Sequence, residues 1–197
     1  IAFMLLCALE GDGEAILSQY GDLLTLGTLA DAMPLCGCNR DFMRRGLALL
    51  NASRRPGIVA LRHIAGCDSS DMTAATVNFT LVPRLNAAGR MGDPDLAVRL
   101  LLAEDDDEAT TLAQELQSCN AQRQRVGADM LQQMHARIEQ DASLLYDRVM
   151  VIAGDGWHHG VLGIAAARLA ETYAKPVVAL SIGEDGIAHG SCRGPAG

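Results

Sequence analysis

Leu112, Leu116, Cys119, Arg123, Val126, Met130, Met134 and Ile138 recur at three- and four-residue steps, with no proline among them. That period predicts one helix from about Glu108 to Asp141, roughly 50 Å long at 1.5 Å per residue. An ordinary globular helix is about a third of that length, so the span reads as a connector between two lobes. Met130 and Met134 read as packing residues rather than cofactor contacts. Five acids in a row, Glu104 to Glu108, precede the span, where they complement the dipole and cap free N–H groups.

On either side of the connector the pattern changes. Arg148 to Ala153 (RVMVIA) predicts a strand, Val161 to Tyr173 a helix, and Pro176 to Ile182 (PVVALSI) a second strand. After the turn Gly183-Glu184-Asp185-Gly186, Ile187 to Cys192 predicts a third. Strand, helix, strand is the signature of an α/β domain with parallel pairing. Upstream, Asp93-Pro94 reads as N-cap plus first-turn proline of a short helix through Ala103. Leu23 to Leu29 (LLTLGTL) reads as a buried strand, with helices near 41–51 and 57–65.

Composition narrows the class. Among 197 residues 49% are apolar and 20% charged, which excludes disordered and fibrous chains. The net charge is −8, so a uniformly basic nucleic-acid coat is excluded. The bases are almost all arginine, whose planar fork suits phosphate or carboxylate. Between residues 39 and 99 nine arginines face five acids, whereas residues 101–197 hold fourteen acids against seven bases. Six scattered cysteines read as reduced thiols of a cytosolic protein, and Cys36-Gly37-Cys38 lacks the second pair of a zinc finger. Ile1 to Leu9 (IAFMLLCAL) is too short to span a bilayer and has the wrong flanks for a signal peptide. It reads as the end of a buried helix, and the chain as an internal piece of a longer protein.

Four motifs carry candidate chemistry. In GTLADAMPL, Asp31 would end the apolar strand, where a carboxylate serves either as a Mg²⁺ or Mn²⁺ ligand or as a helix cap. In PRLNAAGRM, Arg84, Asn86 and Arg90 would lie in a small-residue loop, either gripping phosphate oxygens or standing exposed beside the Asp93 cap. The stretch Gly154 to Gly163 (GDGWHHGVLG) places glycines and the pair His158-His159 between a strand and a helix N-terminus. That arrangement suits an anion or proton transfer, and equally an exposed structural pair. In GSCR, Ser191 and Arg193 join a hydroxyl to a guanidinium, a pairing suited to a terminal phosphate.

In order and separation, GTLADAMPL, PRLNAAGRM, GWHHGVLGIAAARL and GSCR resemble the marks of the RecJ family. These are single-strand-specific 5′ to 3′ DNA exonucleases of the DHH phosphoesterase superfamily. The resemblance implies an α/β, two-lobed architecture: residues 1–103 as the C-terminal part of the DHH catalytic domain, 104–145 as the connector helix and 146–197 as part of the DHH-associated domain. It implies two Mn²⁺ or Mg²⁺ ions in the full enzyme and DNA running between the lobes. Asp31 matches the family's last metal-ligand aspartate, and His158 the histidine of the GWH turn, both as catalytic residues. Ser191 and Arg193 match the pair that holds the DNA 5′ phosphate, and Arg84, Asn86 and Arg90 the substrate-facing arginine/asparagine motif. Where the family reads GSGRS, this chain reads GSCRG, and the Asp-x-Asp, lone-Asp and Asp-His-His motifs are absent.

The implied function is two-metal phosphodiester hydrolysis from the 5′ end of single-stranded DNA in repair and recombination, in the cytoplasm and away from membranes. Single-stranded-DNA-binding protein and a helicase are the implied partners, and these 197 residues alone are expected to be inactive. Two related alternatives are a DHH phosphoesterase for oligoribonucleotides or cyclic dinucleotides, and a catalytically dead DNA-binding scaffold. A third is a nucleotide-binding domain built on GDGWHHGVLG with Glu184.

Overall fold

The computed structural model describes residues 1–68 and 71–195. The chain divides into two compact units, one of Ile1–Ala88 with Asp93–Ser118 and one of Gly89–Gly92 with Cys119–Gly197.

The first unit is helical: α1 (Ala2–Glu10), α2 (Gly13–Ala30), α3 (Cys38–Ala52), α4 (Pro56–Ile64), most of α5 (Ala74–Met91), α6 (Asp95–Leu102) and the start of α7 (Asp106–Gln140). The strand expected over Leu23–Leu29 is helix instead. Asp12 caps α2 through Oδ1, which accepts from the backbone N–H of Glu14 and Ala15. From there burial recurs with the helical period, at Leu17, Gly21, Thr25 and Leu29. A seven-residue apolar run has no period of its own to tell strand from helix, so the cap and turns before it decide. α1 forms where the apolar run predicted a helix, but only Phe3 is buried, and Met4, Leu5 and Leu9 face outward.

Missing side chains bring these helices together. A Cβ on Gly46 of α3 would lie 2.0 Å from Thr25 Oγ1, and one on Gly21 of α2 would lie 2.4 Å from Leu49 Cδ1. A Cβ on Gly57 of α4 would fall 1.8 Å from the Leu100 carbonyl of α6. At the edge of this packing Asp22, only 7% exposed, accepts from Ser53 Oγ at 2.8 Å and from Arg55 Nε at 2.9 Å.

The predicted long helix is observed as α7, within two residues at each end. Asp105 Oδ1 caps it by accepting from the N–H groups of Asp107 and Glu108, so the acidic run has the capping role expected of it. Leu112 and Leu116 enter the core of the first unit, and Met130, Met134 and Ile138 that of the second.

The second unit has a three-stranded sheet in the order β1 (Met150–Asp155), β2 (Val177–Ile182), β3 (Ala188–Arg193), with α8 (His159–Tyr173) as the crossover. β1 and β2 are parallel, in register Met150 with Val177, as strand-helix-strand predicts. β3 returns antiparallel through the Gly183–Gly186 turn, pairing Ser191 with Ala179 and Arg193 with Val177. Buried Ile152, Trp157, Leu162, Leu169 and Ala179 make the core. Trp157 is fixed by an Nε1 donation to Gln133 Oε1 and by its carbonyl accepting from Ser181 Oγ. Gly154 leaves room for the indole, since a Cβ there would lie 2.2 Å from the ring. Among the described residues no helix is long and apolar enough to cross a membrane.

Replacing Asp22 by alanine removes the acceptor of the Ser53 hydroxyl and of Arg55 Nε, while Arg55 Nη2 keeps the Gln19 carbonyl. Arg55 is partly exposed, which softens the loss, so the expected cost is about 2 kcal/mol. Chemical denaturation should show a lower midpoint with an unchanged slope.

Candidate functional site

The second unit gathers three of the expected residues around α8. His158 caps the helix: its Nδ1 accepts from Gly160 N–H at 3.2 Å. With Nδ1 as acceptor, the neutral ring carries its proton on Nε2. Ser191 and Arg193 alternate along β3 and therefore share a face. A Cβ on Gly163 of α8 would lie 2.7 Å from Arg193 Nη2 and 3.3 Å from Ser191 Oγ, so both side chains converge on that glycine. Arg193 Nη1 also donates to the Cys192 carbonyl at 2.7 Å, which holds the guanidinium along its own strand.

One residue pair further along β3, the His189 ring stands edge-on to that of His159, with centroids 4.7 Å apart. The facing row His189, Ser191, Arg193 thus lies along His159 and Gly163 of α8. Sequence reasoning missed His189 and took the glycines only as part of a helix start suited to an anion. Their larger effect here is to let backbone and guanidinium come close.

Arg84, Asn86 and Arg90 are not in a loop, as expected, but in α5. Pro83 suggested a break, yet it sits inside the helix, where buried Ala87 and Ala88 need the small side chains for packing. Arg84 Nη1 donates to the Thr80 carbonyl at 2.6 Å and Nε to Gln117 Oε1 at 2.8 Å. Burial holds its guanidinium below the ordinary arginine value, with the Cys67 thiol acting the other way. Asn86 and Arg90 are exposed and one turn apart along α5. Arg90 belongs to the second unit, where its Nη1 donates to the Gly160 carbonyl at 3.0 Å. Gly160 has no room for a side chain, because its Cβ would fall 2.1 Å from the Arg90 carbonyl.

Asp31 is the C-cap of α2 rather than the end of a strand, because the run before it is helical. It is exposed and borders an apolar groove lined by Phe3, Tyr20, Leu24, Met33 and Phe42. Among the described residues no three His, Cys, Asp or Glu side chains come together. A lone carboxylate supplies too few donors for a divalent ion, so the residues present do not by themselves fit a metal centre.

A parallel strand-helix-strand unit whose returning strand sets a hydroxyl and a guanidinium against the helix defines the class, and residues 141–197 match the model of the DHHA1 domain. The chain is 38% identical over 194 residues to the single-stranded-DNA-specific exonuclease RecJ of Bacillus subtilis, covering 98% of this chain and 24% of that protein. It is also similar to solved structures. The crystal structure of RecJ from Thermus thermophilus in complex with Mg²⁺ matches with 35% identity and a TM-score of 0.75, over 91% of this chain and 27% of that one. A crystal structure of exonuclease RecJ bound to manganese matches with 35% identity and a TM-score of 0.81, over 100% of this chain and 48% of that one. The chain is similar to proteins of the RecJ family and has an α/β DHH fold, and it spans about a quarter of the length of the curated relative from B. subtilis.

Gly163→Ala tests the convergence on α8. Alanine favours a helix interior by about 1 kcal/mol over glycine, so the melting temperature should hold or rise slightly. The added methyl displaces the Arg193 guanidinium, and the Arg193 Nε–H resonance should shift in NMR spectra while those of remote arginines stay in place.

Proposed function

We propose that the protein to which these residues belong is a single-stranded-DNA exonuclease that degrades from the 5′ end, and that this chain supplies the grip on the terminal phosphate. The observation that carries the reading is the convergence of Ser191 Oγ and Arg193 Nη2 on Gly163. A hydroxyl and a guanidinium side by side over a bare stretch of helix offer donors for two phosphate oxygens, with no side chain in the way. The similarity to exonucleases of the RecJ family supports it.

In this reading the grip acts as an end stop, which gives the enzyme its 5′ polarity. His158 presents its Nε2 proton near the same helix start and donates to a strand oxygen. Asn86 and Arg90 take backbone contacts further from the end, and Arg84 holds α5 against Gln117. None of these contacts reads a base edge, so tolerance of sequence follows. Mg²⁺ and Mn²⁺ accompany the similar solved structures. Asp31 is proposed as one ligand of such a centre. The other ligands, and hence the hydrolytic step, are assigned to parts of the protein outside this chain, and the chain alone is proposed to be inactive. Single-stranded-DNA-binding protein and a helicase are proposed as partners by family resemblance.

The test uses the whole protein and single-stranded DNA labelled at either end. Mononucleotide release in Mn²⁺ should remove a 5′ label first; early loss of a 3′ label, or equal cutting of duplex, overturns the reading. Arg193→Ala removes a charge-assisted contact and should raise KM for 5′-phosphorylated ends about tenfold to a hundredfold. Asp31→Ala should abolish turnover and leave DNA binding near the wild-type level.

A further inference from the structure

The rings of His159 and His189 meet in the second unit, and neither takes part in the phosphate grip. They come from distant parts of the chain, His159 opening α8 and His189 standing second in β3. The packing that sets Ser191 and Arg193 against Gly163 also brings these two together. His189 shares their face of the strand, and His159 lies one turn before Gly163 on the helix.

The geometry of the pair fits a shared metal ion. The ring centroids are 4.7 Å apart and the planes are inclined at 70°. An imidazole nitrogen binds a transition metal at about 2.0–2.1 Å, which puts the ring centre about 3.2 Å from the ion. Two such rings have centres about 4.5 Å apart when the bonds meet at a right angle and about 5.2 Å apart at a tetrahedral angle. The observed 4.7 Å falls between the two. Among the described residues the histidine rings with hydrogen-bond partners are those of His63, His135 and His158, which leaves the nitrogens of His159 and His189 uncommitted. Both residues are exposed and the ring torsion of histidine is broad, so a nitrogen of each can turn toward one point at little cost.

The surrounding charge suits a cation. Register sets Asp155 across from Ile182, and Ile182 across from Ala188, the residue before His189. The turn into β3 adds Glu184 and Asp185 at the same end of the sheet. Against these carboxylates stands Arg90, whose guanidinium is held by the Gly160 carbonyl.

We infer that His159 and His189 form a two-histidine site for a borderline divalent transition-metal ion, Zn²⁺, Ni²⁺ or Cu²⁺. The ion ties β3 to the start of α8 and completes its coordination with water. Imidazole ligands select these ions, whereas Mg²⁺ and Mn²⁺ prefer oxygen. Among the described residues no third His, Cys, Asp or Glu joins the pair, so the other positions are open. The inference needs neither DNA nor the phosphate grip, and it stands or falls apart from the exonuclease reading.

The test titrates Ni²⁺ by calorimetry into the whole protein with Mg²⁺ in excess, using the wild type, His159→Ala, His189→Ala and the double variant. Each single variant should bind one equivalent of Ni²⁺ fewer than the wild type. The double variant should bind no fewer than the single ones, because both rings serve one ion. Ni²⁺ should raise the melting temperature of the wild type more than that of any variant, as a ligand of the folded state does. With Cu²⁺, the difference in electron paramagnetic resonance between wild type and double variant should carry the splitting of two coordinated nitrogens. Equal Ni²⁺ binding by all four proteins overturns the site. A loss that grows to two equivalents in the double variant, or a Cu²⁺ signal from a single nitrogen, also overturns it, since the rings would then act separately.

Discussion

The distance between α8 and its neighbours in the second unit is set by side chains that are not there. Gly163 lets the Arg193 guanidinium and the Ser191 hydroxyl rest against the helix, and Gly160 lets the Arg90 carbonyl do the same one turn earlier. A methyl group at either position meets protein at under 3 Å, a separation that real contacts essentially never show. The opposite face of α8, with Val161, Leu162, Ala165, Ala166, Leu169 and Ala170, is buried in the core. The helix is therefore held by hydrophobic packing through these residues and by closely approaching polar groups over its two glycines.

That arrangement leaves local positive charge in a strongly acidic chain. The net charge of −8 is a sum over the whole molecule, whereas binding depends on the field at one place. The run Glu104 to Glu108 is spent at the start of α7, with Asp105 capping the helix and its neighbours beside the positive end of the dipole. The arginines around α8 keep no carboxylate partner among the described residues, and their charge remains available. Bonds from Arg90 to Gly160 and from Arg193 to Cys192 orient the guanidinium groups without neutralising them.

Much of this was legible in the sequence wherever a long period or a spaced turn signal was present. α7 is readable because thirty-odd residues repeat one period, and chance does not sustain that. The βαβ unit is readable because each strand is short, apolar and bounded by glycine or proline. The failures share a cause. Leu23–Leu29 is apolar at almost every position, so it carries no period, and the Asp12 cap eleven residues earlier is what commits it to helix. Pro83 and the pair Ala87-Ala88 look like loop chemistry, but the small residues pack in the core and the surrounding turns carry the helix through the proline.

The sequence alone determined the elements that obey local rules: the capped 35-residue helix, the crossover helix, the hairpin turn and the four motifs that carry the resemblance. It could not determine which side chains meet, because that depends on residues far apart in the chain. Ser191 and Gly163 are brought together by a right pairing of three strands and a crossover, and Arg90 and Gly160 by a contact seventy residues long in sequence. The enclosed Arg123 Nε is the clearest case. An arginine on a helix pattern reads as a solvated surface charge, and only the packing of two helices around it takes away the water that would have satisfied it.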